Sequence, residues 1–387
     1  WRHSLRHAQP VPDVPAMMGA MDEGAGWVLD DDTLNPVVLD RTAVLGALHA
    51  AAPIDRLFYL GLLGMLDDGL AEAGRLLQDR PEDPWRLLLL TGDLHRLRGE
   101  LEQCENYQAQ AWKHARSRSR QATTLQHVGK RWFDAGDRHT AAAHFELALT
   151  MRRGFADPAT LRSSEQALRT VRSASNCDAI VLAGGRGVRL GGSELGAKAL
   201  VRLAGWPLAD HVLLAASFAV TRVQVGPPRM ALGSPVFCLE RPAGGGPVAA
   251  ISAALDRISQ PTVAVLAGDL PFIGPALAEL QRCVSAGTSD VGVLVDVGGR
   301  VNYLAAVWRT AALRAAVAAL PATANAPVRA LYSGAAIAHV PDFDACSADV
   351  DTPADLRSAT ERIRRRSPGR LPLSPLAWPR LELHSPS

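Results

Sequence analysis

The chain has 387 residues, 48% hydrophobic and 21% charged, with a formal net charge of +2. That length allows two domains, since one core rarely serves more than ~250 to 300 residues; the small net charge gives no support for nucleic-acid binding, and no apolar run approaches the ~20 residues a membrane helix needs. Five scattered cysteines (Cys104, Cys177, Cys238, Cys283, Cys346), with no CxxC pair, suit neither a disulfide framework nor a zinc site and point to reduced thiols in a cytoplasmic protein.

Residues 1–53 contain QPVPDVP and DEGAGWVLDDDTLNP and show little sustained period, so a poorly ordered arm is expected; the opening WRHSLRHAQPVP lacks the apolar stretch of a signal peptide. Residues 54–171 are helical in pattern and repeated. Gly92 and Gly99 are followed by Cys104, Tyr107 and Ala111, and a like spacing recurs from Gly129, 37 residues after Gly92, through Gly136, Ala141, Phe145 and Ala148. Small residues at these places let paired antiparallel helices approach closely. The pattern resembles the tetratricopeptide repeat, with an ordinary helical bundle as the alternative. From residue 172 to 360 short apolar β-rich runs alternate with helices: CDAIVLAG, LADHVLLAASFA, RVQVG, PVFCLE, PVAAISAALDRI, TVAVLAGDL, a helix from Gly274 to Ser285, then DVGVLVDV. Such alternation predicts a doubly wound, Rossmann-like α/β domain with a mostly parallel sheet, whose ligands bind beyond the carboxyl ends of the strands. Residues 361–387, rich in Arg and Pro, read as a disordered tail.

The motifs that carry chemistry fall at those strand ends. LAGGRGVRLGG (Leu182 to Gly192) follows the first strand, and its glycines allow backbone N–H groups to face phosphate oxygens, with Arg186 and Arg189 as cationic donors. It is neither a P-loop, because Ala197 separates Gly196 from Lys198, nor a dinucleotide fingerprint, because Leu190 takes the third glycine position. VAVLAGDLPF presents Asp269 at a strand end, suited either to a divalent ion or to capping the next helix. In ADVDTPADL, Thr352, Pro353 and Asp355 read as a capped helix start, and Asp349 as structural. Asp351 has no local task there and is the natural second metal carboxylate.

In order, LAGGRGVRLGG, Lys198 followed by AL, AGWPLADHVL, RPAGGGPVAAISAAL, LAGDLPF, NYLAAVWRTAAL and DVDTPADL resemble the molybdenum-cofactor guanylyltransferases over about 180 residues. The resemblance implies that Leu182, Ala183, Gly184 and Gly185 hold the guanine nucleotide. It implies phosphate neutralisation by Arg189 and Lys198, Mg²⁺ on Asp269 and Asp351, and Gly246 and Pro247 near the base. Asn302 falls on the acceptor side, and Glu240 is a loose match to an acidic nucleotide-binding position. The family usually has Asp before the lysine and five residues from loop arginine to lysine; here Ala197 precedes Lys198 and the gap from Arg189 is nine, with SELG inserted. The implied reaction transfers GMP from GTP to a molybdopterin-type phosphate acceptor. Alternatives are cytidylyl transfer, activation of a sugar phosphate or phospholactate, or an inactive delivery scaffold. An apo-molybdoenzyme is the expected protein partner of the helical repeats.

Overall fold

The computed structural model describes residues 26–184 and 197–366. These residues divide into two compact units, 26–131 with 148–167, and 132–147 with 168–184 and 197–366.

In the first unit a hairpin of β1 (Trp27–Leu29) and β2 (Pro36–Val38) precedes α1 (Arg41–Ala50), α2 (Pro53–Leu62), α3 (Leu66–Gln78), α4 (Trp85–Leu97) and α5 (Leu101–His114). Helices α6 (Arg118–Asp134), α7 (Arg138–Arg152) and α8 (Pro158–Ser173) follow and are divided between the units. Residues 26–53, expected from composition to be a poorly ordered arm, are built instead. Their Asp-rich stretch is turn and cap chemistry: Asp30 Oδ1 accepts the N–H groups of Asp32 and Thr33 at 3.1 and 2.7 Å, and Asp40 caps α1 through the N–H groups of Thr42 and Ala43 at 2.9 and 3.0 Å. Trp27 and Val38 then pack on Val44, Tyr59 and Leu60. The arm up to residue 25 and the tail from 367 lie outside the described residues; residues 361–366, expected to begin the disordered tail, are instead the last part of a helix that starts at Pro353.

Two of the repeated glycines, expected to let helices approach, are helix caps instead, with nothing within 4 Å of where a Cβ would stand. Gly99 (φ 82°) and Gly136 (φ 81°) both adopt the left-handed conformation. Each donates its N–H three residues back, to Arg96 O and Phe133 O, while the next residue donates five back, to His95 O and Trp132 O. This is the double hydrogen bond of a Schellman cap, where glycine avoids a Cβ clash. Gly92 lets α4 approach α5 closely: a Cβ there would lie 3.4 Å from Cys104 O and from Tyr107 Cβ.

The second unit contains β3 (Cys177–Leu182), α9 (Ala197–Leu200), β4 (Arg202–Leu203), β5 (Trp206–Pro207), α10 (Leu208–Ala215), β6 (Arg222–Val225) and β7 (Val236–Cys238). It continues through α11 (Gly246–Leu255), β8 (Thr262–Ala267), α12 (Gly274–Ser285), β9 (Val291–Val295), β10 (Val301–Arg309), α13 (Thr310–Ala318), β11 (Ile337–Pro341) and α14 (Pro353–Arg366). Seven strands form one sheet in the order β11-β9-β10-β8-β3-β6-β7. All neighbours pair in parallel except those of β10, which runs antiparallel to both β8 and β9. The mostly parallel α/β layer is as expected; β10 is the added element. Its direction follows from a tight turn after β9, where Asp296 Oδ1 accepts the N–H groups of Gly298 and Arg300 at 2.8 and 2.9 Å, too short a connection for a parallel crossover.

Central strand β3 is buried nearly throughout, with Ile180 packed among Val223, Ile251, Val265 and Trp308. Its one buried charge, Asp178, accepts N–H bonds from Thr221 at 2.8 Å, Ser259 at 2.7 Å and Gln260 at 2.9 Å. Those bonds compensate the cost of burying a carboxylate and tie the loops entering β6 and β8 to the strand between them. Among the described residues no helix is long and apolar enough to cross a membrane.

Candidate active site

Strands β6, β3 and β8 lie side by side and parallel, so the backbone that follows each meets at one edge of the sheet. Ala183 donates its N–H to Val225 O at 2.9 Å, and Gly268 donates to Leu182 O at 2.9 Å. A Cβ on Gly268 would stand 2.9 Å from Leu182 O and 3.4 Å from Ala183 Cα, so only glycine allows the two strand ends to come this close. Asp269 is the next residue. It therefore stands against the Leu182–Gly184 turn as a consequence of strand register.

Asp351 arrives from far along the chain by a backbone contact: Val350 donates its N–H to Asp269 O at 3.1 Å. Val350 is held by burial among Leu203, Leu208, Phe272 and Ile363. The capping box of α14 forms as the sequence suggests. Asp355 Oδ2 accepts the N–H groups of Asp351 and Thr352 at 3.1 and 2.8 Å, and its own N–H bonds Thr352 Oγ1 at 3.2 Å.

The Lys198 ammonium makes ion pairs with both Asp269 and Asp351. Partial burial alone would lower the Lys198 pKa, but the two carboxylates outweigh it and hold it above its ordinary value. Around the same charges, burial first and then Asp351 and Asp269 push the Asp349 carboxyl up. Two carboxylates converging on one cation make a donor set that fits a hard divalent ion. Among the described residues no group of three or more His, Cys, Asp or Glu could hold a metal. Mg²⁺ suits such a sparse set, because it takes one or two carboxylates and completes its shell with water and phosphate oxygens.

Leu182, Ala183, Gly184, Lys198 and Asp269 line one cavity of about 1270 Å³, together with Gly246 and Pro247 at the start of α11. The amino end of that helix favours negative charge. Glu240 also lines the cavity, with its Oε1 accepting the Gly244 N–H at 2.8 Å. Asn302 holds the segment leading to Asp351, donating from Nδ2 to Ser347 O at 3.2 Å. Gly185 and Arg189 lie outside the described residues.

Lining residues not singled out in the sequence include Gly226 and Pro227 after β6, and Phe237 and Leu239 around β7. Applying the strand-end rule to RVQVGPP would have found the first pair, since the apolar run stops at Gly226. The second pair had no signal of its own.

A model of the MobA-like NTP transferase domain matches residues 179–340. The chain is 36% identical over 200 residues to a molybdenum cofactor guanylyltransferase of Rhodobacter capsulatus, covering 49% of this chain and 97% of that protein. It is 31% identical over 129 residues to the same-named protein of Cupriavidus necator, covering 31% of this chain and 63% of the relative. Among solved structures, 2-C-methyl-D-erythritol 4-phosphate cytidylyltransferase from Thermus thermophilus aligns with TM-score 0.37 and 23% identity, over 48% of this chain and 98% of that one. A nucleotidyl transferase from Methanothermobacter thermautotroptrophicus aligns with TM-score 0.40 and 17% identity, over 49% of this chain and 99% of that one.

Proposed function

Because the chain belongs to the molybdenum cofactor guanylyltransferase family of MobA-like NTP transferases, a nucleotidyltransferase enzyme, we propose that it transfers GMP from GTP to the terminal phosphate of molybdenum-loaded molybdopterin. In this reaction an acceptor phosphate oxygen forms the new bond to the α-phosphorus, the α–β bridging bond breaks, and pyrophosphate leaves. The attacking phosphate is already anionic, so no general base is required. What remains for the protein is alignment and charge neutralisation.

The observation that carries this reading is the meeting of Lys198, Asp269 and Asp351 beside a strand-end glycine turn, at the edge of a cavity large enough for a nucleotide and an acceptor. Asp269 and Asp351 would hold Mg²⁺, which supplies charge neutralisation to the triphosphate. Leu182, Ala183 and Gly184, and Gly185 next in the chain, receive the nucleotide through backbone groups. Lys198, with Arg189 from the same glycine-rich segment, balances phosphate charge, including the charge building on the leaving pyrophosphate. Gly246 and Pro247 bound the base side.

Pyrophosphate release, measured with Mg²⁺ and molybdopterin and with either GTP or CTP, tests the proposal. GTP should be turned over at least tenfold faster than CTP, a difference on the order of 1.4 kcal/mol in transition-state binding. Preference for CTP would move the assignment to cytidylyl transfer, and absence of release with both would leave the domain a scaffold. A second expectation concerns the close strand ends: Gly268→Ala must push the Leu182 carbonyl away. Misplacing the turn should lower kcat/KM for the nucleotide by about 10- to 100-fold while the circular dichroism spectrum stays unchanged. Kinetics equal to those of the parent would show that the turn does not position the nucleotide.

A further inference from the structure

The helical unit has a cavity of its own, about 80 Å³, walled on one side by Trp27, Phe58, Leu90 and Leu94. At roughly 10 to 15 Å³ per water, that is room for several waters or one compact oxyanion. Its polar lining includes Arg152 and Arg162, with Arg96 and Lys130, which have partners of their own, and the carboxylate of Asp93. Asp93 is already engaged: His127 Nδ1 lies 2.7 Å from its Oδ2 and Arg96 Nε 3.7 Å from its Oδ1. His127 adds no balancing negative charge, and burial lowers its pKa despite Asp93.

Arg152 is the telling residue. It is 4% exposed, yet its guanidinium bonds only hydroxyls, Ser164 Oγ at 2.5 Å and Thr123 Oγ1 at 3.4 Å, with no carboxylate in ion-pair range among the described residues. Burial draws its pKa down to about 10. A desolvated cation without an anionic partner is costly, and protein interiors rarely keep one. Gln126, 3% exposed and lining the same cavity, has an amide Nε2 without a hydrogen-bond partner. Guanidinium, ammonium and amide N–H groups are all donors. Together they call for a small, multiply charged acceptor.

We propose that this cavity is a phosphate-binding site, in which Arg152 and Gln126 donate to the oxyanion from within while Lys130 and Arg162 hold it from the rim. The phosphate is either free or the head of a small phosphoester whose body lies on the apolar wall.

The test is calorimetry and thermal shift on the full chain with inorganic phosphate, glycerol 3-phosphate or acetate as probe. A Lys198→Met background removes one of the two cations, with Arg189, that would take phosphate in the transferase site. Phosphate should bind and raise the Tm. K130M/R162M, altered at a half-buried and an exposed position and therefore expected to fold, should weaken binding by roughly 10- to 100-fold. Tighter binding of glycerol 3-phosphate than of phosphate identifies an esterified ligand, and the reverse a free ion; both support the site. Absence of binding by both phosphates, equal binding of acetate, or affinity unmoved by the double variant would overturn it.

Discussion

Replacing Asp269 by Ala is expected to lower nucleotidyl transfer by at least about 10³-fold, the largest effect of any single substitution in this protein. The carboxylate pairs with Lys198, and it is one of the two acidic groups proposed to hold a divalent ion against a triphosphate. Losing one transition-state contact costs about 10²- to 10³-fold, and here two are lost together. Folding should survive. The side chain is only partly buried, at 16% exposure, and the link that carries Asp351 into the site uses the Asp269 backbone carbonyl, which Ala retains. Asp269→Asn, which keeps the shape and one oxygen, should fall between. Pyrophosphate release and the thermal unfolding midpoint check both halves of the expectation. An Ala variant with turnover within tenfold of the parent would remove Asp269 from the chemistry.

Lys198→Met is expected to separate two properties that usually fall together. Transfer should drop by about 10²- to 10³-fold, because the ammonium proposed to neutralise phosphate charge is gone. Mg²⁺ binding without nucleotide should tighten. In the structure the Lys198 ammonium is held by the same two carboxylates that would take the metal, and they keep it firmly protonated. Without it Asp269 and Asp351 face each other uncompensated, and a divalent cation becomes their remaining partner. Titration with magnesium chloride alone reads this directly. Unchanged or weaker metal binding would mean that lysine and metal do not compete for this place.

The same three residues show where sequence reasoning stops. Each was legible singly: Asp269 because an apolar strand ends just before it, Asp351 because Thr352 and Asp355 fill the capping roles beside it, and Lys198 by its order among the motifs. Their contact was not legible. Lys198 and Asp351 are 153 positions apart, and what joins them is the Val350–Asp269 backbone bond and the burial of Val350. The insertion before Lys198 alters its spacing from Arg189, but spacing along a loop does not decide where a long flexible side chain ends. Two carboxylates do, by attraction. The cavity of the helical unit was hidden for a similar reason: Arg96, Lys130, Arg152 and Arg162 stand on different helices and share no pattern in the chain.

What the chain alone determined is what acts over short distances. Strand–helix alternation specified a layered α/β domain, and the α12 span and the α14 cap were read to the residue. These follow from backbone hydrogen bonding and side-chain sterics within a few residues, which sequence records directly. Tertiary structure decided the antiparallel course of β10, the ordering of residues 26–50, and the gathering of charges in both cavities. Each depends on which surfaces meet once the apolar faces are buried, a property of the whole packed unit that no local segment contains.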